Sequence, residues 1–303
     1  VEHEWQGGLE VSLRTALESG RFVVTSEVGP PKGIDVSEML ATAELLRGRV
    51  DALNVTDNQA AVMRLCTLAA CVHLREHGHE PVYQLTCRDR NRIALQSDLL
   101  GAASFGINNV LALTGDHVVV GDHPEAKGVF DLESVQLLET MRALNAGTDL
   151  SGKELHGTPD FLAGAVVTPD SVPLRPQLAK FAKKIDAGAR YFQTQAVYDA
   201  DSFKRFMDVA RRYNVRVLAG IVVLRSARMA AFMNKNIPGI RVPDGIIAQL
   251  EIAEDPVRTG IEIAARFIDD VRDSCDGVHI MAVGAEHLVP EVLDAAGLAE
   301  VVA

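Results

Sequence analysis

Short runs of β-branched and other apolar residues alternate along this chain with longer stretches in which apolar residues return every three or four positions. The short runs predict strands at residues 22–28, 52–56, 82–86, 110–114, 163–167, 191–196, 217–222 and 278–283. Helical spacing covers 37–46, 61–76, 92–105, 132–145, 177–187 and 202–213, then two stretches between 227 and 273, and a last helix at 290–296. Such a β-then-α beat needs crossover connections and therefore a parallel sheet. About eight units in 303 residues is the count at which such a sheet closes into a (β/α)8 TIM barrel. The rival is an open doubly wound sheet, but its Gly-x-Gly-x-x-Gly after a first strand is missing. No Ser/Gly linker divides the chain, so one domain is expected over 1–303, with residues 1–20 as an N-terminal extension packed on the barrel. The longest polar insertion, 115–131, follows the fourth strand, where a barrel keeps its functional loops.

Composition narrows the partners. With 30 Lys and Arg against 41 Asp and Glu the formal charge is −11, which argues against nucleic acid and against an anionic membrane surface. Only Lys180, Lys183 and Lys184 approach a basic cluster, either the solvated face of a helix or an anion site. The four cysteines, at 66, 71, 87 and 275, form no C-x-x-C pair and have no His at zinc-finger spacing, so no metal site is expected and reduced thiols are the default. Residues 1–20 lack the basic and apolar regions of a secretory leader, and no run nears 18 apolar residues, so a cytoplasmic protein is expected.

In a barrel, chemistry comes from residues at the C-terminal ends of the strands. The first strand ends Ser26-Glu27-Val28-Gly29-Pro30-Pro31; apolar neighbours around Glu27 would disfavour its charged form and raise its pKa, as a general acid requires, although a surface Glu fits the position as well. The second ends Asn54-Val55-Thr56-Asp57-Asn58, a polar rim, and the third Gln84-Leu85-Thr86-Cys87, with Gln84 and Thr86 on one face. Asp89 or Asn91 reads equally as a cap for the next helix. The fourth ends Thr114-Gly115-Asp116, where the glycine permits a positive φ and Asp116 projects into the mouth. In the sixth, Gln193 and Gln195 share one face of a buried strand and so require a polar partner in the lumen, ligand or network. His279 on the eighth strand is either a lumen contact or a hydrogen-bonded core histidine.

Taken in order, Ser26-Glu27-Val28-Gly29-Pro30-Pro31, Gln84-Leu85-Thr86-Cys87, Ala112-Leu113-Thr114-Gly115-Asp116, Lys183-Lys184-Ile185-Asp186-Ala187-Gly188-Ala189 and Gln193-Thr194-Gln195 resemble the 5,10-methylenetetrahydrofolate reductase family, including its variant of anaerobic one-carbon metabolism. No single motif is specific; the order of all five over about residues 21–297 carries the resemblance. It implies a flavin-binding barrel that converts methylenetetrahydrofolate to 5-methyltetrahydrofolate, or runs the reverse oxidation, with FAD or FMN as cofactor and NAD(P)H or another electron donor. Glu27 then protonates N10 of the folate, Asp116 lies by the flavin and pterin, and Gln195 hydrogen-bonds the pterin or shifts with the bound substrate, with His279 a further substrate contact. Thr56, Gln84, Thr86, Thr114, Gly115, Asp116, Thr168, Lys180 and Lys184 match positions that hold the flavin. A homo-oligomer, or a complex with a zinc-containing partner subunit, is also implied.

The sequence departs from the family at several of these places. Val28-Gly29 replace aromatic rings, Gln84 stands where His is common, and Thr114 replaces an arginine. Gln177 replaces an aspartate, a small residue near Gly164 replaces a tyrosine, and Met229 and Met233 stand where a Gln and a Phe hold nicotinamide. These losses make FMN an alternative to FAD. Two other functions compete: a flavin-free pterin-binding barrel of methyltransferase type, and a non-catalytic subunit of a redox complex.

Overall fold

The computed structural model describes residues 12–298. Eight strands, β1 (Val23–Val28), β2 (Ala52–Val55), β3 (Pro81–Thr86), β4 (Asn109–Leu113), β5 (Leu162–Val167), β6 (Tyr191–Ala196), β7 (Arg216–Val222) and β8 (Gly277–Met281), form a closed barrel in chain order. Every neighbouring pair is parallel, and β1 closes on β8 with Thr25 opposite His279. The fold is a (β/α)8 barrel.

Side chains alternate between lumen and helices along each strand. On the outer side Val24, Val28, Leu53, Tyr83 and Leu85 pack into the layer beneath the helices. On the inner side Val23, Ala52, Val82, Leu111, Leu162, Tyr191 and Leu218 form an apolar floor. Beneath it lies a short helix, α1 (Leu13–Ser19), whose Leu13, Ala16 and Leu17 complete the same cluster. Ser12 caps α1 by accepting from Thr15 N, and Gly20 at φ 76° ends it. Above the floor the lumen turns polar, with Thr25, Asn54, Gln193 and His279 all buried. Gly164 belongs to the lower lumen: a side chain there would collide with the Tyr191 ring, 2.2 Å from the Cβ position.

The outer helices are α2 (Ser37–Leu45), α3 (Thr67–Glu76), α4 (Arg92–Ser104), α5 (Ser134–Asn145), α6 (Leu174–Ala187), α7 (Ala200–Ala210), α8 (Ala227–Asn236), α9 (Asp244–Glu251), α10 (Pro256–Val271) and α11 (Val289–Ala295). Several of these differ from the pattern reading. The region between 227 and 273 holds three helices rather than two, because Pro243 and Pro256 each mark a new N-terminus. Helix α3 starts at Thr67 rather than 61, since residues 59–61 make a tight turn, with positive φ at Asn58, Ala60 and Ala61. Helix α6 starts three residues early and takes Pro176 into its first turn, where a missing N–H breaks no helical bond. Among the described residues no helix is long and apolar enough to cross a membrane.

Candidate active site

The C-terminal ends of the strands surround a cavity of about 320 Å³, open at the barrel mouth. Glu27, Gln84, Thr86, Thr114, Gly115, Asp116, Gln195 and His279 all line it. Thr56, Thr168, Lys180 and Lys184 are not among its lining residues.

Glu27 is only 14% exposed, yet its surroundings are not the apolar enclosure expected from Val28 and the prolines. Strand alternation turns Val28 toward the helices and Glu27 into the lumen. There Gln84 Nε2 donates to Glu27 Oε1 at 3.2 Å, and His279 Nε2 lies 3.5 Å from the same oxygen. The other ring nitrogen of His279 shares a 2.9 Å hydrogen bond with Thr25 Oγ1. Gln193 Nε2 donates to that hydroxyl at 3.4 Å and to Asn54 Oδ1 at 3.1 Å, while Asn54 Nδ2 donates back to Gln193 Oε1 at 2.8 Å. A continuous polar line thus runs from Glu27 down to the apolar floor. His279 is both a core histidine and a cavity wall.

The two glutamines of β6 have different partners. Gln193 is satisfied by the Asn54 amide, whereas Gln195 has no side-chain hydrogen bond among the described residues and faces the cavity. A shift in the β6–β7 register between Gln193 and Ala196 re-aims this end of the strand. Thr194 fixes the irregularity: its hydroxyl accepts from Gly220 N at 2.8 Å and donates to Gln195 O at 2.7 Å. Gly220 must be glycine here, since a Cβ would lie 2.1 Å from Thr194 O.

On the opposite wall Gly115 adopts φ 90°, as its place before Asp116 suggested, and packs against Arg88 and Thr86. Thr114 Oγ1 accepts from Ser134 N at 3.2 Å and so ties the strand end to the start of α5. Asn91, rather than Asp89, caps α4 by accepting from Ile93 N and Ala94 N.

Two features of this wall escaped the sequence reading. Asp57 is buried and accepts from Thr86 N at 2.9 Å, Thr86 Oγ1 at 2.8 Å, Thr67 Oγ1 at 3.1 Å and Arg90 Nη1 at 2.7 Å. Arg88, 2% exposed, is bidentate with Asp89 and also donates to Asn58 O at 3.1 Å. The visible signal was the run Arg88-Asp89-Arg90, alternating charges directly after a buried strand.

The lysines of α6 do not form one patch. Lys183 is exposed, Lys180 lies 3.4 Å from Glu133 Oε2, and Lys184 is buried with Nζ donating to Val166 O at 2.6 Å. Burial, helped by the neighbouring Lys180 charge, pushes the Lys184 ammonium down to about 8. Its carbonyl partner Val166 belongs to the cavity wall.

A closed parallel barrel with a carboxylate set among amides and an imidazole at its mouth defines a single-domain barrel whose polar chemistry is gathered at one end. The sequence signature of the family described as Methylenetetrahydrofolate reductase matches residues 12–297, and the chain belongs to that family. It is 24% identical to Methylenetetrahydrofolate reductase 2 of Schizosaccharomyces pombe over 95% of this chain, although it spans only 47% of that protein. To the 5,10-methylenetetrahydrofolate reductase of Pectobacterium carotovorum it is 24% identical, over 83% of this chain and 80% of the other. Among solved structures it resembles, with a TM-score of 0.65 and 16% identity over 96% of this chain and 98% of the other, an uncharacterized Clostridium thermocellum protein described as binding two copies of 5-methyl-5,6,7,8-tetrahydrofolic acid.

Proposed function

We propose that this chain reduces 5,10-methylenetetrahydrofolate to 5-methyltetrahydrofolate, with a flavin in the barrel mouth and a nicotinamide as electron donor. The observation that carries this reading is Glu27: one shielded carboxyl group at the cavity wall, bonded by Gln84 and next to His279, in a chain of this family. The donor set suits a flavin. Gln195 offers an uncommitted amide, and the buried Lys184 ammonium has two N–H groups without an acceptor among the described residues, fit for a flavin phosphate.

In this reading Glu27 gives its proton to N10 of the folate as the bond from N10 to the methylene carbon breaks. The bonding pair stays on N10, and an iminium cation remains at N5. Asp116 at the mouth favours that cation by its charge, and Gln195 orients the pterin by hydrogen bonds. A flavin held here would, in its reduced form, be the source of the hydride for the iminium carbon, leaving a methyl group on N5. His279, held by Thr25, keeps the Glu27 carboxyl in one orientation.

The direct test is anaerobic. Protein loaded with FAD or FMN should be bleached by NADH or NADPH and regain its colour on adding methylenetetrahydrofolate, with 5-methyltetrahydrofolate as product. A colourless protein that takes up neither flavin sinks the reading and favours the flavin-free pterin barrel.

Lys184 adds a pH dependence. An anionic phosphate binds the ammonium form, so flavin affinity should be greatest below about 8 and fall as pH rises through that value. Comparing dissociation constants at about pH 7 and about pH 9.5 checks the sign. Lys184→Met should lower the affinity and flatten the slope; an equally steep slope in that variant would remove Lys184 from the site.

A further inference from the structure

Arg88 is the only lysine or arginine among the described residues lining the cavity, whose other formal charges are the carboxylates of Glu27, Asp57 and Asp116. A guanidinium at 2% exposure is costly to bury unless its donors are used. Four of its five N–H groups have acceptors. Nε and one Nη2 hydrogen go to Asp89 Oδ1 and Oδ2 at 3.0 and 2.9 Å, the other Nη2 hydrogen to Asn58 O at 3.1 Å, and one from Nη1 to Asp116 O at 3.5 Å. The second Nη1 hydrogen has no acceptor among the described residues. The backbone of Arg88 is engaged as well, its carbonyl accepting from Val129 N at 2.7 Å. One side chain therefore spans the loops after β2, β3 and β4 and leaves one charged donor at the cavity.

From this geometry we propose that Arg88 is a ligand-contacting cation, donating its free Nη1 hydrogen to an acceptor on the bound group that becomes more negative on reduction. This inference rests on the flavin reading above. A single open donor on a braced guanidinium suits one carbonyl edge of a ring, whereas a phosphate would take several donors. Its positive charge favours the reduced, electron-rich form of the ring over the oxidised form. The same bonds make it the positioning residue for the Gly115–Asp116 turn, which packs against its Cβ.

The test uses the full chain loaded with FAD or FMN and reads the midpoint potential of the bound flavin together with its dissociation constant. Arg88→Met should weaken the reduced form relative to the oxidised form about tenfold, a fall of about 30 mV for a two-electron couple. Arg88→Lys keeps the charge without the brace and should recover most of that shift. Asp89→Asn, which removes the neutralising carboxylate and leaves Arg88 in place, should move the potential the opposite way. An unchanged potential in both Arg88→Met and Asp89→Asn, with flavin bound as in the wild type, overturns the inference and leaves Arg88 a loop brace. Should Arg88→Met fail to fold, the direction of the Asp89→Asn shift decides alone. Wild-type protein that binds neither flavin overturns the underlying flavin reading, a result separable from any failure of the variants.

Discussion

Glu27→Gln should slow reduction of methylenetetrahydrofolate by about 10²–10⁴-fold, the usual contribution of a positioned general acid. The amide matches the carboxylate in size, so the cavity keeps its shape. Its carbonyl oxygen can still accept from Gln84 Nε2, the bond now made at 3.2 Å. What it lacks is a transferable proton. The loss should therefore fall on one half of the reaction: bound flavin should still be reduced by the nicotinamide at close to the wild-type rate, and only its reoxidation by the folate should slow. Stopped-flow measurement of the two half-reactions separates these effects. A variant that reoxidises normally would show that the proton on N10 comes from elsewhere, and equal slowing of both halves would point to a damaged flavin site. A non-catalytic subunit would lose nothing.

The second large effect is on stability. Asp57→Ala removes the acceptor for two Thr86 donors and for the part-buried Arg90, which is left with Asp98 as its remaining carboxylate, while the Thr67 hydroxyl keeps Thr56 O at 3.1 Å. Breaking a buried pair from one side costs about 3–5 kcal/mol where the remaining charge has no other partner; with Asp98 still 2.8 Å from Arg90 Nε, the loss here should lie toward the lower end, about 3 kcal/mol. Burying the Asp57–Arg90 pair brings little net gain; losing one half of it is what destabilises. Urea unfolding should show the unfolding free energy falling by that amount, through a lower midpoint at an unchanged slope, with Asp57→Asn milder because the amide oxygen still accepts. A loss under about 1 kcal/mol would mean that water takes over the vacated positions. Because Thr86 and Asp57 both border the cavity, ligand affinity should fall with stability.

Much of this architecture could be read from the chain. Strands wholly buried between lumen and helices are short apolar runs, so their limits fall within one or two residues of the pattern, as at β6. Helices that proline divides were harder: the stretch from 227 to 273 keeps its apolar spacing across Pro243 and Pro256 while the backbone turns. Helix α1 was missed because seven residues give too little periodicity to detect. At the site, residues at strand ends were legible because alternation alone decides that Gln84 and Thr86, or Gln193 and Gln195, share a face. Through-space pairings were not. Nothing in the spacing of Asp57 and Arg90 reveals that they meet, nor that Gln193 is satisfied by Asn54 and leaves Gln195 to the cavity. The lysines of α6 show the limit from the other side: adjacent positions 183 and 184 point about 100° apart on a helix, so a cluster in sequence becomes one exposed charge and one buried one.

Helix α1 also bears on the order in which the molecule assembles. Seven residues are too few to hold a helix alone. Its apolar face joins a cluster drawn from β1 through β7, a surface that does not exist while the strands are a linear array. The earliest segment of the described chain is therefore expected to be among the last to acquire its structure. It waits on a ring closed by β8, some 260 residues downstream, and whether that helix is formed reports on closure of the whole barrel.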